Sequence, residues 1–492
     1  MTETETAAFR PEARSPRGLQ DRRAADLRAE RRIIEAVSTV YERFGFEAFD
    51  TSAFEYADAL GKFLPDSDRP NEGVFALQDD DEQWMALRYD LTAPLARFVA
   101  QNAATLPKPF RRYAFGSVWR NEKPGPGRYR EFIQCDADTV GSARPEADAE
   151  MVAMAVEALE AIGLPAGSTV VRINDRKLLN GLLTTAGVDD AAQTLAVLRA
   201  VDKLDRLGLD GVERLLGAGR KDESGAFTKG ADLAPAAIER VLAFVQTRAD
   251  TRSGTLERLA EVVGGSPAGE EGLAHLARID SVLTSLGVGE VQAVFEPSVV
   301  RGLEYYTGPV WELELLLETL DERGQGVRFG SIGSGGRYDD LVARFTGERV
   351  PATGLSFGVS RLAAALRASG QEPATDRGPV VVIAFSPDDM GEYFKLVGEL
   401  RAAGIAAEVY LGQAGMKAQM KYADRRRSPA AVIVGSDELA AGTVTIKDLD
   451  AGRAAALALK DNSAWRGERP GQVTARRAEM VETVRRILGS TP

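Results

Sequence analysis

The chain has 492 residues, a net charge of −12 and an apolar fraction of 44%, which suffices for two or three domains with hydrophobic cores. One histidine and one cysteine argue against histidine-based acid–base catalysis, a histidine-rich metal site and an internal disulfide. The sequence contains no run of 18 apolar residues, so we predict no helix that spans a membrane. The lone cysteine is typical of a reducing cytosol, so we expect a cytoplasmic protein.

Cys135 and His275, each the only residue of its type, lie in sequence patterns that favour a structural over a catalytic role. Cys135 lies within an apolar-rich segment that predicts a strand, which favours a packed thiol over a reactive one. His275 lies between Ala274 and Leu276 in a helical pattern, which favours a packing or surface role. Catalysis must therefore rely on arginines, carboxylates and backbone groups.

The first three quarters of the chain mix strand and helix patterns. We expect residues 1–17 to be disordered and a catalytic domain to span 18–370, with a helical insertion at about 178–285. Before the insertion, the patterns predict a helix at 18–46, a strand at 84–88, a helix from an N-capping Thr92 to about 102, and strands at 112–120 and 131–140. Within the insertion they predict a loop near 217–229. After it they predict strands from 292 to 335 with a turn at 333–336, and a helix within 356–366.

The C-terminal quarter has the pattern of a separate domain. The polar segment 368–378 is predicted to be a linker. Residues 379–492 alternate apolar strands with helices, which predicts a small α/β domain around a largely parallel sheet. Residues 378–492 carry sixteen Lys and Arg against fourteen Asp and Glu, so this part is slightly basic on an otherwise acidic chain. Such a distribution is compatible with phosphate contacts.

The most informative segment is Arg120–Asp138, which reads R-N-E-K-P-G-P-G-R-Y-R-E-F-I-Q-C-D-A-D. It predicts two strands joined by a basic turn rich in glycine and proline. Because side chains alternate along a strand, Gln134, Asp136 and Asp138 share one face. An acceptor-rich face opposite an arginine suits a ligand that carries both anionic and N–H groups.

Five further segments resemble conserved elements of one family. They are S-P-R-G-L-Q-D (Ser15–Asp21), R-Y-D-L-T-A-P-L (Arg88–Leu95), R-G-L-E-Y-Y-T-G (Arg301–Gly308), S-I-G-S-G-G-R-Y-D-D-L (Ser331–Leu341) and G-L-S-F-G-V-S-R (Gly354–Arg361). Together with the Arg120–Asp138 hairpin, and in this order, they are similar to the active-site motifs of histidyl-tRNA synthetase. This family belongs to the class II aminoacyl-tRNA synthetases.

The resemblance runs from about residue 14 almost to the C-terminus. It implies an α+β catalytic domain, with an antiparallel sheet flanked by helices and a helical insertion, followed by a C-terminal α/β anticodon-binding domain. The segment through Phe54 and Glu55 is similar to class II motif 1, which forms the dimer interface in the family. Ser52 stands where the family usually has proline, and Ser360 replaces the acid usual before the motif 3 arginine, which is Arg361 here.

The resemblance also implies a reaction and its residues. Histidine and ATP give histidyl-adenylate, and the histidyl group then passes to the 3′ end of tRNA(His). The implied catalytic residues are Arg120 and Arg301. The implied histidine-binding residues are Asp90, Thr92, Gln134, Asp138, Arg301, Tyr305 and Tyr306. The implied ATP-binding residues are Arg120, Glu122, Arg128 and Arg361. From the residues alone, Asp90 and Thr92 could equally cap a helix, and Tyr305 and Tyr306 could be core aromatics. The motif context favours a binding role for Tyr306 and leaves Tyr305 open.

The implied partners are histidine, ATP, tRNA and a second copy of the chain. Mg²⁺ is expected with the ATP phosphates, and we predict no metal ligand among the side chains. Lys417 and Lys421 lie four residues apart in G-M-K-A-Q-M-K-Y-A-D (Gly415–Asp424), which resembles a segment of the anticodon-binding domain. These lysines either contact tRNA phosphates or form a solvated helix face.

Two relatives of different function compete with the ligase hypothesis. One is the catalytically silent regulatory subunit of ATP phosphoribosyltransferase, which usually lacks the anticodon-binding domain and some catalytic residues. The other is a non-enzymatic sensor of uncharged tRNA, which is normally fused to a kinase. This chain retains Arg120, Arg301 and residues 378–492 and has no kinase motif, so both are disfavoured.

Overall fold

The computed structural model describes residues 10–60, 73–124, 129–221, 225, 227–300, 302, 306–320, 326–369, 377–458 and 471–489. The chain divides into two compact units, Met1–Glu372 and Pro373–Pro492. The division falls inside the segment 368–378 that the sequence predicts to be a linker. Of the predicted disordered segment, residues 1–9 lie outside the described residues, and 10–17 form no helix or strand. No described helix is long and apolar enough to cross a membrane.

The first unit begins with a long helix and ends with the strand and helix of the third synthetase-like motif. Its N-terminal elements are α1 (Ala24–Arg43), β1 (Glu47–Ala48), β2 (Phe54–Tyr56), α2 (Ala57–Leu60), β3 (Ala76–Gln78), β4 (Trp84–Leu87), α3 (Thr92–Asn102), β5 (Phe110–Trp119), β6 (Glu131–Val140), α4 (Pro145–Ala161) and β7 (Thr169–Asp175). Its last elements are β10 (Ala293–Phe295), β11 (Pro309–Leu320), β12 (Gly326–Arg337), α11 (Ala343–Thr346), β13 (Ala352–Gly358) and α12 (Val359–Ala368).

The predicted insertion is helical, as its sequence pattern indicates. Its elements are α5 (Arg176–Thr185), α6 (Ala191–Val201), α7 (Leu204–Leu216), β8 (Gly219–Lys221), β9 (Phe227–Lys229), α8 (Pro235–Val245), α9 (Arg252–Val263) and α10 (Pro267–Ser285). The prediction of a loop near 217–229 was wrong, because β8 and β9 pair as a short antiparallel hairpin. Both strands are largely exposed, so they lack the apolar alternation by which a strand is recognised.

A mostly antiparallel sheet organises the first unit. Among the described residues it has eight strands in the order β1-β5-β6-β13-β12-β11-β7-β10, and only the two edge pairs, β1–β5 and β7–β10, are parallel. One face packs against helices that include α1 and α4, around the buried side chains of Tyr41, Cys135 and Trp311. The predicted packing role of Cys135 is thereby confirmed. The other face carries the candidate site.

The glycines of β12 show why a glycine-rich segment can be a strand. The predicted turn at 333–336 was wrong, because these residues pair with both β11 and β13. A Cβ atom on Gly335 would lie 2.2 Å from Nε1 of Trp311, and one on Gly333 would lie 2.6 Å from the Ser356 carbonyl oxygen. Neighbouring strands therefore occupy the space that side chains would need.

The second unit is a small α/β domain. Its elements are β14 (Val380–Ile383), α13 (Met390–Ala402), β15 (Ala407–Val409), α14 (Met416–Arg425), β16 (Ala430–Ile433), α15 (Ser436–Ala441), β17 (Thr443–Asp448), α16 (Leu449–Ala458), β18 (Gln472–Arg476) and α17 (Met480–Gly489), with 3-10 turns at Pro387–Asp389 and Arg477–Glu479. The described sheet order is β15-β14-β16-β17-β18.

The prediction of a largely parallel sheet in the second unit needs a correction. The strands β15, β14 and β16 are parallel, but β17 and β18 add to the β16 edge in antiparallel fashion. The sheet is therefore mixed. Buried Val444 and Ile446 alternate with more polar neighbours along β17, which is the period-two pattern of a strand.

Candidate active site

A cavity of about 370 Å³ lies over the polar face of the large sheet. Strand alternation produces this face: Cys135 and Ala137 of β6 enter the core, and the even-numbered positions face the other way. The described residues that line the cavity come from β5–β6, β12, β13 and α12: Arg120, Glu122, Tyr129, Phe132, Gln134, Ser331, Ile332, Gly333, Ser334, Ser356, Gly358, Ser360 and Arg361. The sheet thus brings together three motifs that are far apart in sequence.

Arg120 follows β5 and forms one wall of the cavity. Its Nε donates to the carbonyl oxygen of Tyr89 at 3.1 Å, and its guanidinium carbon lies 5.2 Å from the ring centroid of Phe132. The remaining guanidinium nitrogens can bind an anion. Glu122 is exposed at the rim of the same cavity. Arg120 and Glu122, both predicted to bind ATP, therefore line one cavity.

Asp90 is held at the start of α3. Its Oδ1 accepts hydrogen bonds from the backbone N–H groups of Thr92 at 3.2 Å and Ala93 at 2.9 Å. The predicted N-cap was wrong, because Thr92 is the first helical residue and makes no capping bond, whereas the Asp90 carboxylate performs that role. Burial raises the pKa of Asp90, and the two backbone hydrogen bonds and the charge of Arg120 oppose this shift.

Gln134 and Asp136 belong to one hydrogen-bonded row that crosses from β6 to β13. Gln134 Nε2 donates to the Ser356 hydroxyl oxygen at 2.7 Å, and Ser356 also hydrogen-bonds the carboxyl group of Asp136, its register partner. Among the described residues, Gln134 Oε1 and Asp136 Oδ1 have no hydrogen-bond partner although both atoms are buried. Burial, with the neighbouring charge of Asp138, raises the pKa of Asp136 to about 8.

Asp138 is held on both sides by residues of other elements. Arg112 Nη2, from β5, lies 2.7 Å from Asp138 Oδ2, and the Tyr338 hydroxyl donates to Asp138 Oδ1. All three side chains are buried. Burial raises the pKa of Asp138, and the charge of Arg112 opposes the shift. Gly354, its register partner on β13, leaves the space that Asp138 occupies, since a Cβ atom there would lie 2.1 Å from Oδ1.

Tyr306 lies between two glycines. A Cβ atom on Gly302 would be 2.3 Å from Tyr306 Cδ2, and one on Gly336 would be 2.8 Å from Cδ1. Burial raises the pKa of the Tyr306 hydroxyl, and the charges of Asp136 and Asp138 add to the effect. The ring of Tyr306 therefore packs on the cross-strand row that Gly336 and Gly354 share with Asp138.

Arg361 lies in the first turn of α12 and lines both the central cavity and a neighbouring one of about 560 Å³. The adjacent Ser360 has a structural role: its hydroxyl accepts from Ile133 N at 3.1 Å and donates to Glu30 Oε1 at 2.8 Å. A carboxylate at position 360 would face Glu30, which is 4% exposed, so two buried like charges would meet. This contact gives a physical reason for the serine.

Three predicted site residues, Arg128, Arg301 and Tyr305, lie outside the described residues. In the second unit, Lys417 and Lys421 are both exposed on α14, while Gln419 and Ala423 on the same helix are buried. A cavity of about 540 Å³ adjoins the start of this helix. Lysines and cavity thus lie near one end of α14.

Sequence reasoning missed several residues of the site. Arg112, Tyr338 and Ser356 are polar residues inside strands or beside them, and only the sheet register brings them next to Asp136 and Asp138. Among the described residues, no group of three or more His, Cys, Asp or Glu side chains could hold a metal ion. His275 contacts Asp175 at 2.9 Å.

Comparison with known proteins identifies the family of the chain. Residues 18–362 match the histidyl-tRNA synthetase family model, and 379–465 match the anticodon binding domain model. Histidine--tRNA ligase of Caulobacter vibrioides is 73% identical over 483 residues, covering 98% of each chain, and that of Cereibacter sphaeroides is 55% identical, covering 98% of this chain and 99% of the other.

The fold is also similar to a solved structure of the same family. The crystal structure of histidyl-tRNA synthetase from Nostoc sp. PCC 7120 has a TM-score of 0.71 at 28% identity, with 97% of this chain and 100% of that chain covered. The α+β catalytic architecture and the separate α/β domain expected from the sequence are thereby confirmed. The chain belongs to the histidyl-tRNA synthetase family.

Proposed function

We propose that the polar sheet face activates histidine with ATP and that the chain then transfers the histidyl group to tRNA(His). The chain is a histidine–tRNA ligase by its family membership and by its similarity to the Caulobacter enzyme over nearly its full length. The observation that carries the site assignment is the cavity that Arg120, Arg361 and Gln134 line together, on the sheet face where Asp136 and Asp138 are buried. Two cations and one row of acceptors suit an amino acid and a nucleotide side by side.

In the activation step, the carboxylate of histidine attacks the α-phosphorus of ATP and pyrophosphate leaves. Arg120 stabilises the charge that develops on the α-phosphate, and Arg301 is assigned to the opposite side by resemblance. Positioned cations in a partly buried cavity need no reorganisation during the reaction. Glu122, Arg128 and Arg361 are assigned to ATP, with the Arg361 guanidinium against the adenine ring.

The amino acid is assigned to the inner part of the sheet face. Asp90, Thr92 and Gln134 bind the α-ammonium group, for which the Asp90 carboxylate supplies the counter-charge. Asp138 and Tyr306 bind the imidazole ring, because a ring N–H needs a fixed acceptor. Arg112 and Tyr338 hold Asp138 in one position. Tyr305 is assigned to the same pocket by resemblance.

Mg²⁺ is expected with the ATP phosphates, but the described side chains do not form a site for it. Glu122 is the only carboxylate among the described residues that line the central cavity, where Arg120 and Arg361 supply positive charge. Ser360, at the position of the usual acid, is engaged with Glu30. We therefore assign no step to a metal ion held by these residues.

The proposal extends to tRNA, to oligomeric state and to location. The second unit matches the anticodon binding domain model, and exposed Lys417 and Lys421 are assigned to tRNA phosphates. The proposed homodimer uses the three-stranded sheet β2-β4-β3, on which Phe54, Tyr56 and Trp84 are exposed. The cytoplasm is the proposed location, as the single cysteine favours.

The test is exchange of radiolabelled pyrophosphate into ATP by the purified chain, with each of the twenty amino acids in separate reactions. Exchange with histidine alone is expected, because a site built to hydrogen-bond the ring rejects analogues that leave its polar groups unpaired. Folded protein that exchanges with none of them would instead support the alternative, a catalytically silent regulatory subunit of ATP phosphoribosyltransferase.

A further inference from the structure

Asp136 is a buried acid on the site face to which the proposed mechanism gives no role. Its side chain is 2% exposed, and its Oδ1 has no hydrogen-bond partner among the described residues. An unpaired buried carboxyl oxygen is costly unless a ligand completes its hydrogen bonding. Its position between Gln134 and Asp138 on one strand face places it within the proposed amino-acid pocket.

The two neighbouring acids differ in their partners. Asp138 Oδ2 contacts Arg112 in an ion pair without a hydrogen bond, and Asp138 Oδ1 accepts a hydrogen bond from the Tyr338 hydroxyl. Asp136 receives a hydrogen bond from Ser356 and retains a free oxygen. Among the described residues, Asp136 Oδ1 thus has neither a hydrogen bond nor an ion pair, whereas each oxygen of Asp138 contacts a protein group and keeps room to accept one more hydrogen bond.

The surroundings of Asp136 indicate which part of histidine it meets. Asp136 shares a cross-strand row with Ser356 and Ser334, and Asp138 shares a nearby row with Gly354 and Gly336, against which the ring of Tyr306 packs. The ammonium-binding Asp90 acts on Asp136 more weakly than Asp138 and Arg112 do. Asp136 is thus a neighbour of the ring-binding groups.

We propose that Asp136 is a further histidine-binding residue, which contacts one nitrogen of the imidazole ring while Asp138 contacts the other. This inference rests on the proposed function. A neutral imidazole ring has one N–H donor and one lone-pair nitrogen. The Asp138 carboxylate, held by Arg112, accepts from the N–H. The Asp136 carboxyl group, when it carries a proton, donates to the lone-pair nitrogen, so the pair recognises the whole ring edge.

The test measures inhibition of histidine-dependent pyrophosphate exchange by two compounds. Histidinol has the ring and the ammonium group, and 4-(3-hydroxypropyl)imidazole has the ring alone. We expect Asp136→Ala to weaken both compounds by the same factor, about tenfold or more, as for loss of one buried hydrogen bond. Asp136→Asn, which keeps the size and can still donate, is expected to lose less. The KM for ATP should stay unchanged, which shows that the nucleotide site is folded.

Cys135→Ala is the matched control, because it alters the adjacent position on the opposite face of the same strand. It should leave both inhibition constants unchanged. Weakening of histidinol alone in Asp136→Ala would place Asp136 at the ammonium group and overturn the inference, as would unchanged inhibition by both compounds. Absence of histidine-dependent exchange in the unmodified chain would instead overturn the proposed function, so the two failures are distinguishable.

Discussion

At the scale of single residues, the site depends on charged groups whose positions are imposed by backbone contacts. Arg120 is tied to the Tyr89 carbonyl oxygen, and Arg112 Nη2 donates to the Leu91 carbonyl oxygen at 2.8 Å. Both bonds fix the segment that carries Asp90. A guanidinium group has five donors, so it can hold the backbone and still face a ligand.

Arg120→Ala is expected to reduce kcat/KM for histidine-dependent exchange by about a hundredfold to a thousandfold, the usual loss for one transition-state donor. The measurement is steady-state exchange with ATP and histidine each varied. Arg349→Ala is the control, since Arg349 is exposed and pairs with Asp340 in the same unit. A raised KM for ATP with unchanged kcat would show that Arg120 binds the ground state and the transition state equally, which would contradict its role as a transition-state donor.

Asp136 should also make stability depend on pH. Its pKa rises from an ordinary 3.8 to about 8, so the folded chain binds more protons than the unfolded chain between these values. The contribution of Asp136 to the free energy of unfolding therefore falls as the pH rises between these two values. The groups that face Asp136 are Asp138, Arg112, Ser356, Asp90 and Tyr306.

The corresponding variant removes this titration. Asp136→Asn is expected to raise Tm relative to the unmodified chain, and by more at pH 8.5 than at pH 5. The reason is that at pH 8.5 the unmodified chain carries a buried negative charge at position 136, which the variant lacks. Calorimetric scans across this range measure the difference. A difference in Tm that is the same at both pH values would contradict the shifted pKa.

At the scale of elements, glycines decide how closely strands and side chains approach. Gly354 on β13 pairs with Asp138 on β6, and its missing side chain leaves room for the Asp138 carboxylate. Gly335 on β12 leaves room for the Trp311 ring in the same way on the core face. The sheet therefore uses glycine on both faces for close packing rather than for turns.

Gly354→Ala is expected to raise the KM for histidine by about a hundredfold, since displacement of a binding group by about 1 Å costs this much. The added Cβ would lie 2.1 Å from Asp138 Oδ1, so the carboxylate must move. Exchange kinetics at varied histidine give the result. The KM for ATP should change little, and an unchanged KM for histidine would show that Asp138 does not bind the substrate.

The helix α14 presents its two lysines together on an exposed face. Lys417→Ala with Lys421→Ala should weaken tRNA binding and reduce the salt dependence of the affinity by about two counterions. Pyrophosphate exchange should be unaffected, because it needs no tRNA. Lys395→Ala, an exposed lysine of α13, is the control. Unchanged tRNA affinity at low salt would support the solvated-face interpretation instead.

At the scale of the whole molecule, the proposed dimer has a candidate surface on the first unit. The sheet β2-β4-β3 exposes Phe54, Tyr56 and Leu77 on one face, each by more than a third of its surface, and the strand register places the exposed Trp84 on the other face. Clustered exposed apolar side chains of this kind mark protein interfaces. The sequence relates the same segment to motif 1.

Tyr56→Lys combined with Leu77→Lys, on the same sheet face, is expected to shift the chain from dimer to monomer, because desolvated lysines without partners disfavour an interface. Light scattering coupled to size-exclusion chromatography gives the mass. Leu286→Lys, at another exposed apolar position, should leave the mass unchanged. A chain that is monomeric before any substitution would contradict the proposed homodimer.

By itself, the sequence determined the class of protein, the main elements and most candidate residues. Local patterns suffice for these, since alternation on β6 places Gln134, Asp136 and Asp138 on one face, and helical spacing predicts α14. Short motifs in a fixed order identified the family. The linker prediction likewise needed only local composition.

Only the tertiary structure decided which groups meet. Arg112 and Tyr338 engage Asp138, Ser360 joins β6 to Glu30, and the glycines of β12 belong to a strand. These contacts depend on strand register between segments up to 330 residues apart, which no local pattern encodes. For the same reason, only the structure separates Asp138, whose oxygens both contact protein groups, from Asp136, whose Oδ1 has no partner among the described residues.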